Sequence, residues 1–116
     1  MASSSHRYDI LTFGEGLLRL STSRYERLEQ ADTLDIHVAG EALEIAVVMS
    51  RFGLRAAWLS ALTENALGRK IVNKAREQGV DTSWVRWMKD GRVGLTYTEP
   101  GSAPRASSLT EDREAT

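Results

Sequence analysis

"HVAGEALEIAVVMSRFG", residues 37–53, decides how this chain is read. Gly40 opens it, and a run rich in the helix formers Ala, Leu, Glu and Met follows without proline. Leu43, Ile45, Ala46, Val47, Val48, Met49 and Phe52 cover most of that helix, leaving Glu41, Glu44 and Arg51 as a polar stripe. A helix so apolar is expected to be nearly surrounded by protein. Gly53 suits the left-handed residue that ends a helix, and Leu54 is the apolar residue that usually follows. The mouth of the helix has two readings. Its free N–H groups, partial positive charge and closely approachable Gly40 make a ligand site. Alternatively, Glu41 and Glu44 only complement the helix dipole, worth ~0.3–1 kcal/mol each.

Outward from this helix the pattern alternates. "YDILTF" (8–13) reads as a strand bounded by Gly14 and Gly16, and "LLRLST" (17–22) as a second. Residues 24–32 are polar and read as a loop. In 33–39, Leu34, Ile36 and Val38 alternate with Asp35 and His37, the period of a half-buried strand. "RAAWLSAL" (55–62) is a strand, followed by a helix capped by Thr63 or Asn65 with Leu67, Ile71 and Ala75 as its inner stripe. Gly79–Val80 repeats the Gly53–Leu54 ending. Strand, helix, strand, helix with short joints predicts βαβ units and a parallel sheet. "SWVRWM" (83–88) and "RVGLTYTE" (92–99) flank Asp90–Gly91, which predicts a hairpin. Core packing is the expected fate of Trp84 and Trp87. Residues 1–7 read as a flexible leader, 8–100 as the α/β domain, and 101–116 as a polar tail, disordered by composition alone.

Composition excludes several functions. The chain has 116 residues and is 41% hydrophobic, enough for one small domain with a modest core. Fifteen basic residues against 16 acidic, net −1, leave no field to hold nucleic acid or an anionic membrane. With no cysteine there is no disulfide and no thiolate chemistry. His6 and His37 are not at metal-ligand spacing, so no metal site is expected. No apolar run reaches the ~20 residues of a membrane span, and the N-terminus lacks a signal-peptide core, so a cytoplasmic protein is expected. "FGEGLLRL" lacks the third glycine of a dinucleotide fingerprint, and there is no Gly-x-x-x-x-Gly-Lys loop.

The order of parts resembles the N-terminal portion of a PfkB/ribokinase-family carbohydrate kinase, most of all a 2-keto-3-deoxygluconate kinase. "YDILTFGEGLLRL" resembles the family's first strand and Gly-Glu turn. Residues 37–62 resemble the signature that begins with a Gly-Gly pair and ends in Ala-Arg-Leu-Gly. "TENALGRKIVNKAREQGVDTSWV" resembles the next helix and its Gly-Val-Asp-Thr exit, and "GRVGLTYTEPG" and "EDREAT" resemble strands that lid the sugar site. The resemblance implies the N-terminal portion of a three-layer α/β sandwich with β-sheet lid strands, 101–116 supplying one of them. It implies transfer of the ATP γ-phosphoryl group, with Mg2+, to a hydroxyl of a sugar or sugar acid. The family's base and anion hole lie in a Gly-Ala-Gly-Asp motif. No Gly-x-Gly-Asp occurs in these 116 residues, so no catalytic residue is assigned and neither ATP nor Mg2+ is expected to bind this chain alone. The alternative is a non-catalytic fragment that binds sugar or dimerises through the lid.

The resemblance also places the sugar site at Gly14, Ala39, Gly40, Glu44, Thr96 and Arg113. Several positions depart from the family pattern. Ala39–Gly40 stands for the Gly-Gly pair, and Glu44 for an asparagine that contacts the sugar. An ionised glutamate only accepts hydrogen bonds, and against a sugar carboxylate it would cost about 3–4 kcal/mol at an effective dielectric of about 20. Thr96 stands for a lid aromatic, with Tyr97 one place on and so on the other face. Glu111 stands for a second lid tyrosine. Arg113 is retained and could pair with a sugar carboxylate.

Overall fold

The computed structural model describes residues 7–23 and 26–99, and the backbone of 108–112. Among the described residues seven strands form two sheets, and two α-helices accompany them. The elements are β1 (Ile10–Phe13), β2 (Leu17–Ser21), β3 (Asp35–Ala39), α1 (Glu41–Arg51), β4 (Ala56–Thr63), α2 (Ala66–Glu77), β5 (Val85–Met88), β6 (Gly94–Glu99) and β7 (Ser108–Asp112). One sheet runs β1-β4-β5, all parallel, and the other β3-β2-β6-β7. Within the second, β2 pairs parallel to β6 and antiparallel to β3, and β6 pairs antiparallel to β7.

Local chemistry sets the helix ends. Gly53, at φ +90°, closes α1 with its N–H on the Ser50 carbonyl at 3.0 Å, while Leu54 N–H donates to the Met49 carbonyl at 3.2 Å. Gly79 and Val80 close α2 in the same way, onto Arg76 and Ala75. Of the two cap candidates for α2, Asn65 serves: its Oδ1 accepts from Gly68 N–H at 2.9 Å. Lys74 and Arg76 in the last turn complement the dipole.

The core lies where α1 meets β1 and β4 and where α2 meets β4, β2 and β3. Trp58 of β4 is fully buried at its centre with Leu18, Leu43, Ala46 and Ile71. Its indole Nε1–H donates to the Gly14 carbonyl at 3.0 Å, satisfying the one polar group of the side chain. Near the chain's start, the Tyr8 hydroxyl donates to Asp81 Oδ2 and accepts from Trp84 Nε1–H at 3.0 Å, and Ser83 N–H donates to Asp81 Oδ1 at 2.8 Å. The Tyr8 hydroxyl and then Ser83 hold the Asp81 carboxyl below the ordinary carboxylate range.

Six expectations are corrected. The Asp90–Gly91 turn does not make a hairpin: Gly91 has φ +98°, but β5 pairs with β4 and β6 with β2, so the turn carries the chain from one sheet to the other. β3 likewise is not the strand that β4 joins; β4 pairs with β1, and the β2–β3 pair is an excursion into the second sheet. α1 is not enclosed. Only Leu43 and Ala46 are buried, while Ile45, Val48 and Phe52 are exposed. Leu67 is also exposed, and the inner stripe of α2 is Gly68, Ile71, Val72 and Ala75, a rotation set by the tight approach of Gly68 to the Thr63 carbonyl. Trp84 and Trp87 are 54% and 40% exposed, so Trp58 is the tryptophan of the core. The tail that reads as disordered by composition supplies β7, paired along its length with β6. Residues 1–6 of the expected leader lie outside the described residues.

Candidate functional site

A cleft of about 720 Å³ opens where the end of β1 meets the mouth of α1 under the second sheet. Gly14, Ala39, Gly40, Glu44 and Thr96 all line it. Five of the six residues singled out from sequence therefore converge on one space. The sixth, Arg113, lies outside the described residues.

The geometry rests on two glycines and their neighbours. Gly40 is the N-cap of α1 with φ +128° and ψ +125°. A Cβ there would drive into the Glu15 carbonyl oxygen, so the β1–β2 turn and the mouth of α1 approach backbone to backbone. At Gly14 a Cβ would come within 2.8 Å of the Ala42 methyl. Small residues on both sides of this crossing let the turn and the first turn of the helix form one wall. Thr96 is 7% exposed and directly opposite Arg19 in the β2–β6 register. Tyr97 is the next residue along β6 and therefore belongs to the other face of the sheet.

The two readings of the helix mouth resolve as follows. Glu44 N–H donates to the Gly40 carbonyl at 2.8 Å, the first bond of the helix. Glu44 Oε2 then turns back and accepts from Gly40 N–H at 3.3 Å. A carboxylate of the helix itself thus takes one of the donors a ligand would want, in the manner of a capping box one residue further along. The same carboxylate lines the cleft.

Sequence reasoning missed Arg19, Glu15, Thr12 and Glu41 as cleft residues. Arg19 was the legible one. It is the charged residue in an apolar strand, flanked by Leu18 and Leu20, so it must point away from the core that Leu18 enters. Across the second sheet, His37, Arg19, Thr96 and Glu111 fall in one register row. The cleft lining carries the carboxylates of Glu15, Glu41 and Glu44 against the guanidinium of Arg19. A second cleft of about 810 Å³ shares Phe13, Gly14 and Glu15 and extends along the carboxyl ends of β4 and β5, the usual place for ligands in parallel sheets. Among the described residues no three His, Asp or Glu side chains gather as metal ligands. No helix of the described residues is long and apolar enough to cross a membrane.

Comparison with known proteins follows the same lines. The chain is 43% identical over 105 residues to a 2-dehydro-3-deoxygalactonokinase of Haloferax volcanii, covering 90% of this chain and 33% of that one. It is 34% identical over 104 residues to a 5-dehydro-2-deoxygluconokinase of Bacillus licheniformis, covering 88% and 32%. Its structure superposes on the crystal structure of 2-dehydro-3-deoxygluconokinase from Thermotoga maritima with a TM-score of 0.88 and 31% identity, over 92% of this chain and 32% of that one. A PfkB family carbohydrate kinase from Listeria grayi gives 0.89 and 34%. The chain thus spans about a third of the length of these relatives. The profile of the pfkB family of carbohydrate kinases matches residues 8–116, nearly the whole chain, and with the ribokinase-like fold it establishes that the chain belongs to that family.

Proposed function

We propose that this chain carries the sugar-binding portion of a carbohydrate kinase, and that the cleft at the mouth of α1 receives a sugar or sugar acid. The observation that carries this reading is the convergence of Gly14, Ala39, Gly40, Glu44 and Thr96 on one cleft. The relatives named above add support, since each is named for a kinase acting on a dehydro-deoxy sugar acid or a carbohydrate. In the reaction of such an enzyme, glycine-walled backbone approaches the substrate closely and lid side chains exclude water, so that one hydroxyl is aligned for attack.

We further propose that these 116 residues do not transfer phosphoryl groups by themselves. The chain contains no Gly-x-Gly-Asp. ATP and Mg2+ belong to the longer domain of the family. The test is incubation of the chain with Mg-ATP and 2-keto-3-deoxygluconate, with phosphosugar followed by mass spectrometry. No product is expected; turnover by this chain alone refutes the reading of incompetence. A second reading, a dimerising fragment, draws on the edge strand β1, where Leu11 is 58% and Phe13 82% exposed. A homodimer through the lid strands is the version the family suggests. Localisation in the cytoplasm fits a kinase that uses ATP.

A further inference from the structure

We infer that Glu44 sets the substrate class of the cleft: it selects neutral, hydroxyl-rich sugars and rejects sugars bearing a carboxylate. This rests on the reading of the cleft as a sugar pocket. The mouth of α1 offers an anion one strong point of attachment, the N–H groups of its first turn. Here one of the donors at that point is taken from within, because Glu44 Oε2 accepts from the N–H of the N-cap Gly40 at 3.3 Å and so brings its charge to the helix mouth. A substrate carboxylate arriving at the same place meets a like charge where it needs a donor. Glu41 and Glu15 add two further carboxylates to the lining, and among the described residues Arg19 is its one cation.

A sugar hydroxyl meets the opposite situation. Ionised carboxylates accept hydrogen bonds and donate none. A hydroxyl donates its proton to such an acceptor in a charge-assisted bond, about twice as strong as a neutral one. Glu44 can hold Gly40 N–H with one oxygen and keep the other for a substrate hydroxyl. The lining is therefore suited to a ligand rich in donors and poor in negative charge. Thr96, buried at the lid side of the cleft, supplies a hydroxyl that both donates and accepts and adds no charge.

The test compares two ligands of the same carbon skeleton, D-glucitol and D-gluconate, titrated into the full 116-residue chain and into Glu44→Gln, with ligand-observed NMR giving the dissociation constants. Gln keeps the size of the side chain and an oxygen for Gly40 N–H while removing the charge. Wild type is expected to bind glucitol at least tenfold more tightly than gluconate, and Glu44→Gln to reduce that ratio severalfold by gaining gluconate. Raising the ionic strength from about 0.01 M to 1 M should narrow the wild-type ratio, since screening weakens charge repulsion; a purely structural role for Glu44 would leave the ratio unmoved. Thermal melts of both proteins check that the variant is folded, and if it is not, Glu44→Asn and the wild-type salt series carry the comparison. Gluconate bound as tightly as glucitol by wild type, or a ratio indifferent to both salt and substitution, overturns the inference while leaving the sugar pocket standing. Binding of neither ligand to either protein removes the sugar pocket and the inference together.

Discussion

Replacing Gly40 by Ala should damage this chain far more than the same change at Gly53. Both glycines have positive φ, +128° and +90°. At Gly53 an added Cβ meets nothing within 4 Å, so only the backbone conformation is penalised, about 1–2 kcal/mol. At Gly40 the conformational cost is of order 1–3 kcal/mol, and the Cβ also drives into the Glu15 carbonyl, where the neighbour is backbone and cannot swing aside. Overpacking of that kind adds about 1–3 kcal/mol. The total, about 2–6 kcal/mol, is a large share of the ~5–15 kcal/mol that holds a small domain together. Urea unfolding followed by far-UV circular dichroism reads both variants against wild type. The midpoint for Gly40→Ala should fall by at least about 0.7 M, with a slope in the usual range of ~1–3 kcal/mol per M. If the two variants lose stability within about 0.5 kcal/mol of each other, the close approach of the β1–β2 turn to the helix mouth is wrong. The geometry of the cleft would fall with it.

Three further outcomes are expected. Asn65→Ala removes the acceptor for Gly68 N–H and should cost about 1 kcal/mol, with faster amide exchange at Gly68; unchanged exchange there would mean the cap is not formed. Tyr8→Phe should raise the Asp81 carboxyl toward its ordinary value, as followed by carboxyl-carbon NMR titration, because the Tyr8 hydroxyl is the first cause of its depression. A depressed folded value means that Asp81 contributes stability above the unfolded carboxylate pKa, and that the contribution is lost as pH falls from there through the folded value. The variant should therefore lose less stability than wild type on acidification below about pH 4, and an equal acid sensitivity would contradict the Tyr8–Asp81 bond. Phe13→Lys on the edge of the parallel sheet should reduce self-association in analytical ultracentrifugation, since it puts a charge on an apolar strand that pairs with β4 on one side and, among the described residues, with no strand on the other. A wild-type chain that sediments as a monodisperse monomer would oppose that expectation.

What could be read from the sequence divides along physical lines. The ends of α1 and α2 were legible because they are local: Gly53–Leu54, Gly79–Val80 and Asn65 act within one turn. The pairing of strands was not, because it is settled by contacts far apart in the chain. Asp90–Gly91 has the chemistry of a turn, and it makes a turn, but only the sheets decide that β5 joins β4 and β6 joins β2. The apolar surface of α1 likewise shows what the helix could bury, and Ile45, Val48 and Phe52 stay exposed in this chain. In the site, Gly14, Ala39, Gly40, Glu44 and Thr96 were found through family resemblance, each at a position with a motif around it. Arg19 was legible only as the charged residue of an apolar strand, and Glu15 only as part of the Gly-Glu turn; that both line the cleft depends on how β2 and the β1–β2 turn are placed. The bond from Gly40 N–H to Glu44 was half legible. The acid was visible in the first turns of the helix, whereas its return to the N-cap depends on a side-chain rotamer.

The reading of the cleft as a sugar pocket is tested most directly by amide NMR of the whole chain during titration with D-glucitol. Shifts confined to Gly14, Glu15, Ala39, Gly40, Glu44 and Thr96 are expected, saturating together with one dissociation constant. Saturable shifts clustered instead between β3 and α2, at Ile36, Arg69 and Asn73, or no saturable shift at all, would contradict it.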